Sequence, residues 1–328
     1  MQANGKINLG DFIQINLIIM KIVFLDASTI GNVPNMDEIR SLGDYIEYPF
    51  TLQQERIQRI GDAQVVIVNK VIIDREVMSA CPNLRLVCVA ATGTNNIDLV
   101  FASERNIAVK NVAGYSTNSV AQVTFSLVLE LLTRTHYNNA YIQNGGYSSS
   151  NIFTHFGRPF WELAGKQYGI IGLGNIGKRV AAIAKAFGAN VCYYDILINS
   201  QEKQYTFLNL NELLQTSDVI SIHAPLNDFT HNLLGMPQLK TMKPSAILVN
   251  VARGGIVDEA ALAEAIDSDI IAGAGFDVFT QEPLLPDHPF LTVRNKEKLL
   301  LLPHIAWASF EARTLLISRI AENIKKFS

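Results

Sequence analysis

From Lys21 onward, short apolar runs alternate with stretches whose apolar positions recur every three to four residues. The first series predicts strands at Ile22–Asp26, Tyr45–Tyr48, Gln64–Asn69, Leu84–Ala90 and Ile107–Val109. Helices are predicted near Met36–Leu42, Gln53–Ile60, Arg75–Ala80 and Leu99–Arg105. Brief, continuous apolar strands alternating with helices are the mark of a parallel sheet covered on both faces. This series ends near Val112-Ala113-Gly114. A helical stretch then runs from Ser119 to Tyr141, apolar nearly all round, and so expected to be buried between domains or at a subunit interface. After a Gly- and Ser-rich loop, Asn144–Asn151, a second alternating series opens at Lys166. Its predicted strands are Tyr168–Gly172, Asn190–Tyr194, Val219–His223, Ala246–Asn250, Ile270–Phe276 and Leu299–Leu302. Its helices fall near Ile176–Phe187, Asn211–Gln215, Glu259–Asp267 and Ser309–Lys326. The fold class that follows is α/β, with two doubly wound parallel-sheet domains.

Composition narrows the function. The 328 residues are 48% hydrophobic and 17% charged, enough apolar material for two sizeable cores. Lys and Arg number 27 against 30 Asp and Glu, a formal net charge of -3, so no basic field favours nucleic acid or an acidic membrane surface. The mean hydropathy of +0.17 prompts a search for a membrane span. The longest uncharged stretch that resembles a span, Asn111–Leu129, carries Asn, Ser, Thr and Gln and is a poor one. Cys81, Cys88 and Cys192 are odd in number and lack C-x-x-C spacing, so neither disulfides nor a metal site are expected, and a reducing cytoplasm suits them. Residues 1–19, ahead of the first clear strand, read as an extension outside the folded unit.

The second series opens with Gly172-Leu-Gly174-Asn175-Ile176-Gly177. In a chain with 21 glycines, chance alone supplies about 0.08 G-x-G-x-x-G triplets, so the context must carry the reading. Here an apolar strand precedes Gly172, a helical pattern follows Gly177, and Asp195 closes the next strand. Gly172 permits the tight turn, Gly174 lets a pyrophosphate approach the backbone, and Gly177 lets helix and strand pack closely. The helix N-terminus presents free N–H groups to the phosphates. Asp195 suits two ribose hydroxyls and repels a 2′-phosphate. No Lys or Arg lies between Ile196 and Gln201, which favours NAD over NADP.

Ligands of doubly wound sheets sit outside the carboxyl ends of the strands. Applied here, that rule collects Asp195, His223, Arg253, Asp277 and His304, with Glu282 a few residues beyond Asp277. Singly, each reads as well as a loop charge or a satisfied turn, and His223 reads as structural or adenosine-adjacent. Jointly they hold the groups that hydride transfer to a 2-oxo acid requires. Arg253 is a cation for the carboxylate and ketone, His304 an acid for the alkoxide, and Glu282 a partner that holds His304 as imidazolium.

Residues 21–328 resemble the D-isomer-specific 2-hydroxyacid dehydrogenases. The resemblance rests on the Gly172 loop with Asp195, Leu213-Leu-Gln-Thr-Ser-Asp-Val-Ile-Ser-Ile-His-Ala-Pro225, Asn250-Val-Ala-Arg-Gly-Gly-Ile-Val-Asp258, Phe276-Asp-Val-Phe-Thr-Gln-Glu-Pro283 and Pro303-His304. It implies catalytic Arg253, Glu282 and His304. It implies cofactor contacts from Gly172, Gly174, Asn175, Ile176, Gly177, Asp195, His223, Pro225, Val251, Ala252 and Asp277, the last near the nicotinamide. It implies a flavodoxin-like substrate domain, residues 21–114 plus 305–328, and a Rossmann NAD-binding domain, residues 115–304, whose cleft closes over substrate. A homodimer is implied through the helix from Ser119. Thr92 and Gly93 map onto the loop whose amides receive the substrate carboxylate, with Lys70 near the same pocket and Trp307 as its wall. Gln122 departs from the Glu that many members carry. Within the family, Ala90-Ala-Thr-Gly-Thr-Asn-Asn-Ile-Asp98, Ser119-Val-Ala-Gln122 and His304-Ile-Ala-Trp-Ala-Ser309 look most like glycerate dehydrogenases, that is, hydroxypyruvate reductases. The first unit's loops lack an Arg cluster for a substrate phosphate, and Glu282 stands where formate dehydrogenases have Gln. A D-lactate or broad 2-oxo-acid reductase is the nearest alternative, and an NAD-sensing corepressor-like scaffold the alternative outside catalysis.

Overall fold

The computed structural model describes residues 20–196 and 203–327. The expected extension over residues 1–19 and most of the Ile196–Gln201 stretch lie outside the described residues. The chain divides into two compact units. One joins the residues up to Ala113 to those from Thr314 onward, and the other is Gly114–Arg313.

The first unit carries five parallel strands: β1 (Lys21–Phe24), β2 (Asp44–Glu47), β3 (Val65–Val68), β4 (Leu86–Val89) and β5 (Ala108–Lys110). Their order is β2-β1-β3-β4-β5, the flavodoxin-like winding. All residues of β3 and β4 are buried, as befits central strands with helices on both faces. The order reverses between β1 and β3, and there Asp26 is buried just past β1. Its carboxylate accepts the backbone N–H groups of Asn69, Lys70 and Val71, at 2.8, 2.6 and 3.1 Å. Burial pushes this carboxyl up from its ordinary range while the three amides pull it back. The C-terminal helix Phe310–Lys325 is tied to this unit by Asn35, whose Nδ2 donates to the Thr314 carbonyl and to Ser318 Oγ.

The second unit carries β6 (Gln167–Ile171), β7 (Asn190–Tyr194), β8 (Thr206–Phe207), β9 (Val219–Ile222), β10 (Ile247–Asn250), β11 (Gly273–Phe276) and β12 (Leu299–Leu301). The order β12-β11-β10-β9-β6-β7-β8 is the Rossmann winding with one further parallel strand at the β12 edge. Two parallel-sheet α/β units are thus the architecture that the alternation predicts. The alternation does not predict β8, since two exposed residues leave no periodic signal. The strand expected from Ile270 starts only at Gly273. Asp269 has φ +57° and the Ile270 amide closes the preceding helix onto the Ala265 carbonyl, so the chain reaches the sheet three residues later.

The single helix expected over Ser119–Tyr141 is instead two, Thr117–Thr133 and Thr135–Gln143. Arg134 separates them in the left-handed region, φ +55°. Glu130 explains the break: its carboxylate accepts the His136 N–H at 3.1 Å and the Thr135 hydroxyl, starting a second helix before the first can continue. The first helix is also buried along one broad face rather than all round, with Gln122 and Ser126 exposed. Residues 305–313 stay with the second unit, where Ser119 Oγ donates to the Ala306 carbonyl and accepts the Ser309 N–H. The three cysteines are buried free thiols. Among the described residues no helix is long and apolar enough to cross a membrane, and no cluster of three His, Cys, Asp or Glu is placed to hold a metal.

Candidate active site

The second sheet reverses direction between β6 and β9, and two loops meet at that point. Gly172 ends β6 with φ +93°, and a Cβ there would stand 2.6 Å from the Ala224 amide nitrogen just after β9. Only glycine allows both this turn and this approach. Gly174 caps the helix Asn175–Ala186 without a side-chain acceptor, and the space its Cβ would take is open. At Gly177 a Cβ would collide with the Gly172 carbonyl, so the helix start lies hard against the strand end. Unfilled space before uncapped helix amides fits a dinucleotide pyrophosphate. Past β7, Asp195 Oδ2 accepts the Leu173 N–H at 2.9 Å, so the glycine loop itself orients the carboxylate.

His223 follows β9. Its Nε2 shares a 2.9 Å hydrogen bond with Ser221 Oγ, while its Nδ1 is buried and meets no partner among the described residues. Burial pushes its pKa down to about 3, so the ring is neutral at physiological pH and is no proton donor. Pro225 closes this turn by accepting the Thr230 hydroxyl at 2.6 Å.

After β10, the buried Asn250 stitches the loop. Its Nδ2 donates to the Arg253 carbonyl at 2.8 Å and its Oδ1 accepts the Ala252 N–H at 3.0 Å. The guanidinium of Arg253 donates to the Ala252 carbonyl at 2.7 Å. Val251, next along, is buried in the core on one face of the sheet. Sequence reasoning places Asn250 only within a motif. A buried Asn directly at a strand end was the available signal for its role.

Past β11, Asp277 is 1% exposed, and both of its oxygens accept backbone N–H groups, Ile305 at 2.7 Å and Ala306 at 2.8 Å. Burial pushes this carboxyl up, and the two amides and His304 oppose it. Between β12 and these amides, His304 stands in the left-handed region, φ +55°, which a non-glycine residue adopts only under local constraint. The Asp277 carboxylate supplies that constraint. His304 Nδ1 then meets Glu282 Oε2 at 2.6 Å, and Glu282 Oε1 accepts the Phe279 N–H at 3.0 Å. Both side chains keep some exposure, 22% and 30%. The second ring nitrogen of His304, with the imidazole backed by a carboxylate, is the geometry of a general acid–base. Trp307, expected to wall the pocket, packs against the core of this unit and meets Tyr115 edge-on at 6.2 Å. Burial raises the Tyr115 phenol, and the Arg253 charge opposes that rise.

In the first unit, Lys70, Thr92 and Gly93 stand past β3 and β4. Asp26 holds the Lys70 amide, and Thr92 is bracketed by its own hydroxyl on the Val112 carbonyl and by Asn111 Nδ2 on the Thr92 carbonyl.

The family described as D-isomer specific 2-hydroxyacid dehydrogenase, NAD binding domain, matches residues 125–306, more than half of the chain. A glycerate dehydrogenase of Methylorubrum extorquens is 38% identical over 309 residues, 94% of this chain and 96% of its own. A hydroxypyruvate reductase of Blautia hydrogenotrophica is 37% identical over 315 residues, 94% of this chain and 97% of its own. The crystal structure of the TT0316 protein from Thermus thermophilus superposes with a TM-score of 0.83 at 31% identity, covering 93% of this chain and 96% of that one. The chain belongs to the D-isomer-specific 2-hydroxyacid dehydrogenase family. It is an NAD-dependent oxidoreductase of 2-hydroxy acids, and its cofactor is NAD.

The clamp on the His304 turn is directly testable. Asp277→Asn keeps one acceptor and turns an amide donor toward the other N–H group. Loss of one buried bond is worth about 1–3 kcal/mol, so the Ile305 and Ala306 amides should exchange with solvent roughly ten- to a hundredfold faster, as measured by hydrogen exchange.

Proposed function

We propose that the protein reduces hydroxypyruvate to D-glycerate with NADH, reversibly, and takes glyoxylate as a smaller substrate. The observation that carries this reading is the 2.6 Å Glu282–His304 pair, with His304 on a turn fixed by Asp277 and the two residues one and two strands along the sheet from the Arg253 loop. The motifs shared with glycerate dehydrogenases, and the similarity to relatives named for glycerate and hydroxypyruvate, support the substrate. Bound NADH supplies the hydride that reaches C2 of the oxo acid. Arg253 pairs with the substrate carboxylate and polarises the ketone, and His304 as imidazolium gives its proton to the carbonyl oxygen. Glu282 aims that ring through the 2.6 Å contact to Nδ1. Within the second unit, Trp307 supplies an apolar side chain to this site. On the cofactor, His223 and Pro225 stand in the loop beside the glycine turn and Val251, Ala252 and Asp277 past the next two strands of the sheet, and Asp195 selects the ribose that lacks a 2′-phosphate. Buried free thiols suit a reducing cytoplasm.

A second copy of the chain is the partner this reading includes. The segment after the helix Thr135–Gln143 displays Phe153, Phe156, Phe160 and Trp161, the first two 90% and 84% exposed, more aromatic surface than a monomer ordinarily leaves in water. A double Phe153→Asp, Phe156→Asp variant should sediment as a monomer where the parent sediments as a dimer. A parent that is monomeric at micromolar concentration would remove this partner.

The substrate reading is tested by kcat/KM for hydroxypyruvate, glyoxylate, pyruvate and phosphohydroxypyruvate, each with NADH and with NADPH. Hydroxypyruvate should lead. NADH should exceed NADPH by ~100-fold, since a 2′-phosphate facing Asp195 is a like-charge pair costing several kcal/mol. Leadership by pyruvate would make the protein a lactate-type reductase, and negligible turnover of every acid would favour an NAD-sensing scaffold.

Removing the Glu282 charge tests the proton donor. In Glu282→Gln the His304 ring loses its 2.6 Å carboxylate partner, so reductive kcat should fall roughly tenfold or more while KM for NADH stays within about twofold. An unchanged kcat would deny Glu282 this role.

A further inference from the structure

A second acid–histidine pair, this one buried, lies near the first. Glu259 opens the helix Glu259–Asp267, directly after the loop that carries Arg253. His288 caps the short helix Pro289–Thr292, at the end of the loop that carries Glu282. Both side chains are 9% exposed, and His288 Nε2 lies 2.8 Å from Glu259 Oε2. His288 Nδ1 accepts the Phe290 N–H at 3.2 Å, so the ring proton resides on Nε2 and is donated to Glu259. The other Glu259 oxygen accepts the Thr280 N–H at 2.7 Å.

Thr280 is where this pair meets the chemistry. The neighbouring Phe279 N–H is donated to Glu282 Oε1, on the carboxylate whose second oxygen meets His304. Gly254, next to Arg253, lies so close to the same turn that a Cβ there would stand 1.9 Å from the Phe279 carbonyl carbon and 2.3 Å from the Thr280 nitrogen. The turn is therefore shared: the Arg253 loop presses on the Phe279–Thr280 peptide, whose N–H Glu259 holds, and Glu282 holds the preceding Val278–Phe279 peptide through the Phe279 N–H. Both partners of Glu259 are donors. A carboxylate satisfies both, whereas a carboxamide has one acceptor and must abandon one of them or force His288 to release Phe290.

We propose that Glu259 and His288 are positioning residues: by holding the Phe279–Thr280 turn they set the Arg253 loop in register with the Glu282–His304 pair. This inference rests on the roles given above to Arg253, Glu282 and His304. It extends the machinery by two groups that touch neither the reacting carbon nor the proton in transit.

The test uses Glu259→Gln and His288→Asn in the full chain. Asn at 288 is a good helix cap but too short to reach Glu259, so it removes the link while preserving the local turn. In both variants reductive kcat should fall roughly tenfold or more, with KM for NADH within about twofold of the parent, because misplacement of the reacting groups costs turnover rather than cofactor binding. A lowered melting temperature with kcat unmoved would show a purely structural pair and overturn the proposal. Should Glu259→Gln fail to fold, His288→Asn carries the same test. Parent protein inactive on every acid would refute the proposed function. The positioning is then read from hydrogen exchange alone: faster exchange at the Phe279 amide as well as at Thr280 sustains it, and unchanged Phe279 exchange overturns it.

Discussion

The candidate site depends on one buried carboxylate. Asp277 leaves β11 and binds the two amides that follow His304, so the exit of one strand dictates the backbone of the next. A side chain in the left-handed region is costly to hold, and loops without such a clamp relax to ordinary conformations. With the clamp in place, the imidazole reaches Glu282 and the pair has a fixed direction. Desolvation of Asp277 itself is unfavourable, and its two N–H partners and the nearby imidazole offset only part of that cost.

The same solution recurs across the chain. A protein with a formal net charge of -3 has no general attraction for anions, yet its chemistry concerns phosphates and carboxylates. The attraction is made locally, from backbone dipoles. Uncapped amides at Asn175–Ala186 face open space, and Asp26, Asp195 and Asp277 each organise a strand-end loop by collecting its N–H groups. Carboxylates thus shape the loops, and the proposed reading gives the ligand to backbone amides and Arg253. This division explains how acidic residues can crowd the edge of a sheet whose ligands are negatively charged.

Which features were legible in the sequence follows from which ones have a period or a spacing. The alternation of apolar strands and helices carries the winding of both sheets, and the Gly172–Gly177 spacing marks the turn because only glycine satisfies its sterics. The strand-end rule located Arg253, Asp277 and His304 without any contact being known. What stayed hidden is contact to backbone. Nothing in the residues near 277 announces that its partners are the amides of 305 and 306, and Glu259 and His288 are 29 positions apart with ordinary neighbours. The break at Arg134 was hidden for a related reason, since it arises from where the Glu130 carboxylate turns, and the 3.6-residue pattern runs through it undisturbed.

The route of the chain carries a consequence for its synthesis. The second unit is one continuous stretch, whereas the first needs the helix Phe310–Lys325, made some two hundred residues after the rest of its sheet. Asn35 therefore has no Thr314 carbonyl to bind until the whole stretch of the second unit has been made. Domains tend to fold as units, so the first cannot close its contacts before the sequence of the second has been synthesised. Stalling or truncation near residue 313 would yield a chain with an intact nucleotide fold and an open flavodoxin-like sheet, a species whose uncovered core is a substrate for chaperones and proteases before it is ever an enzyme.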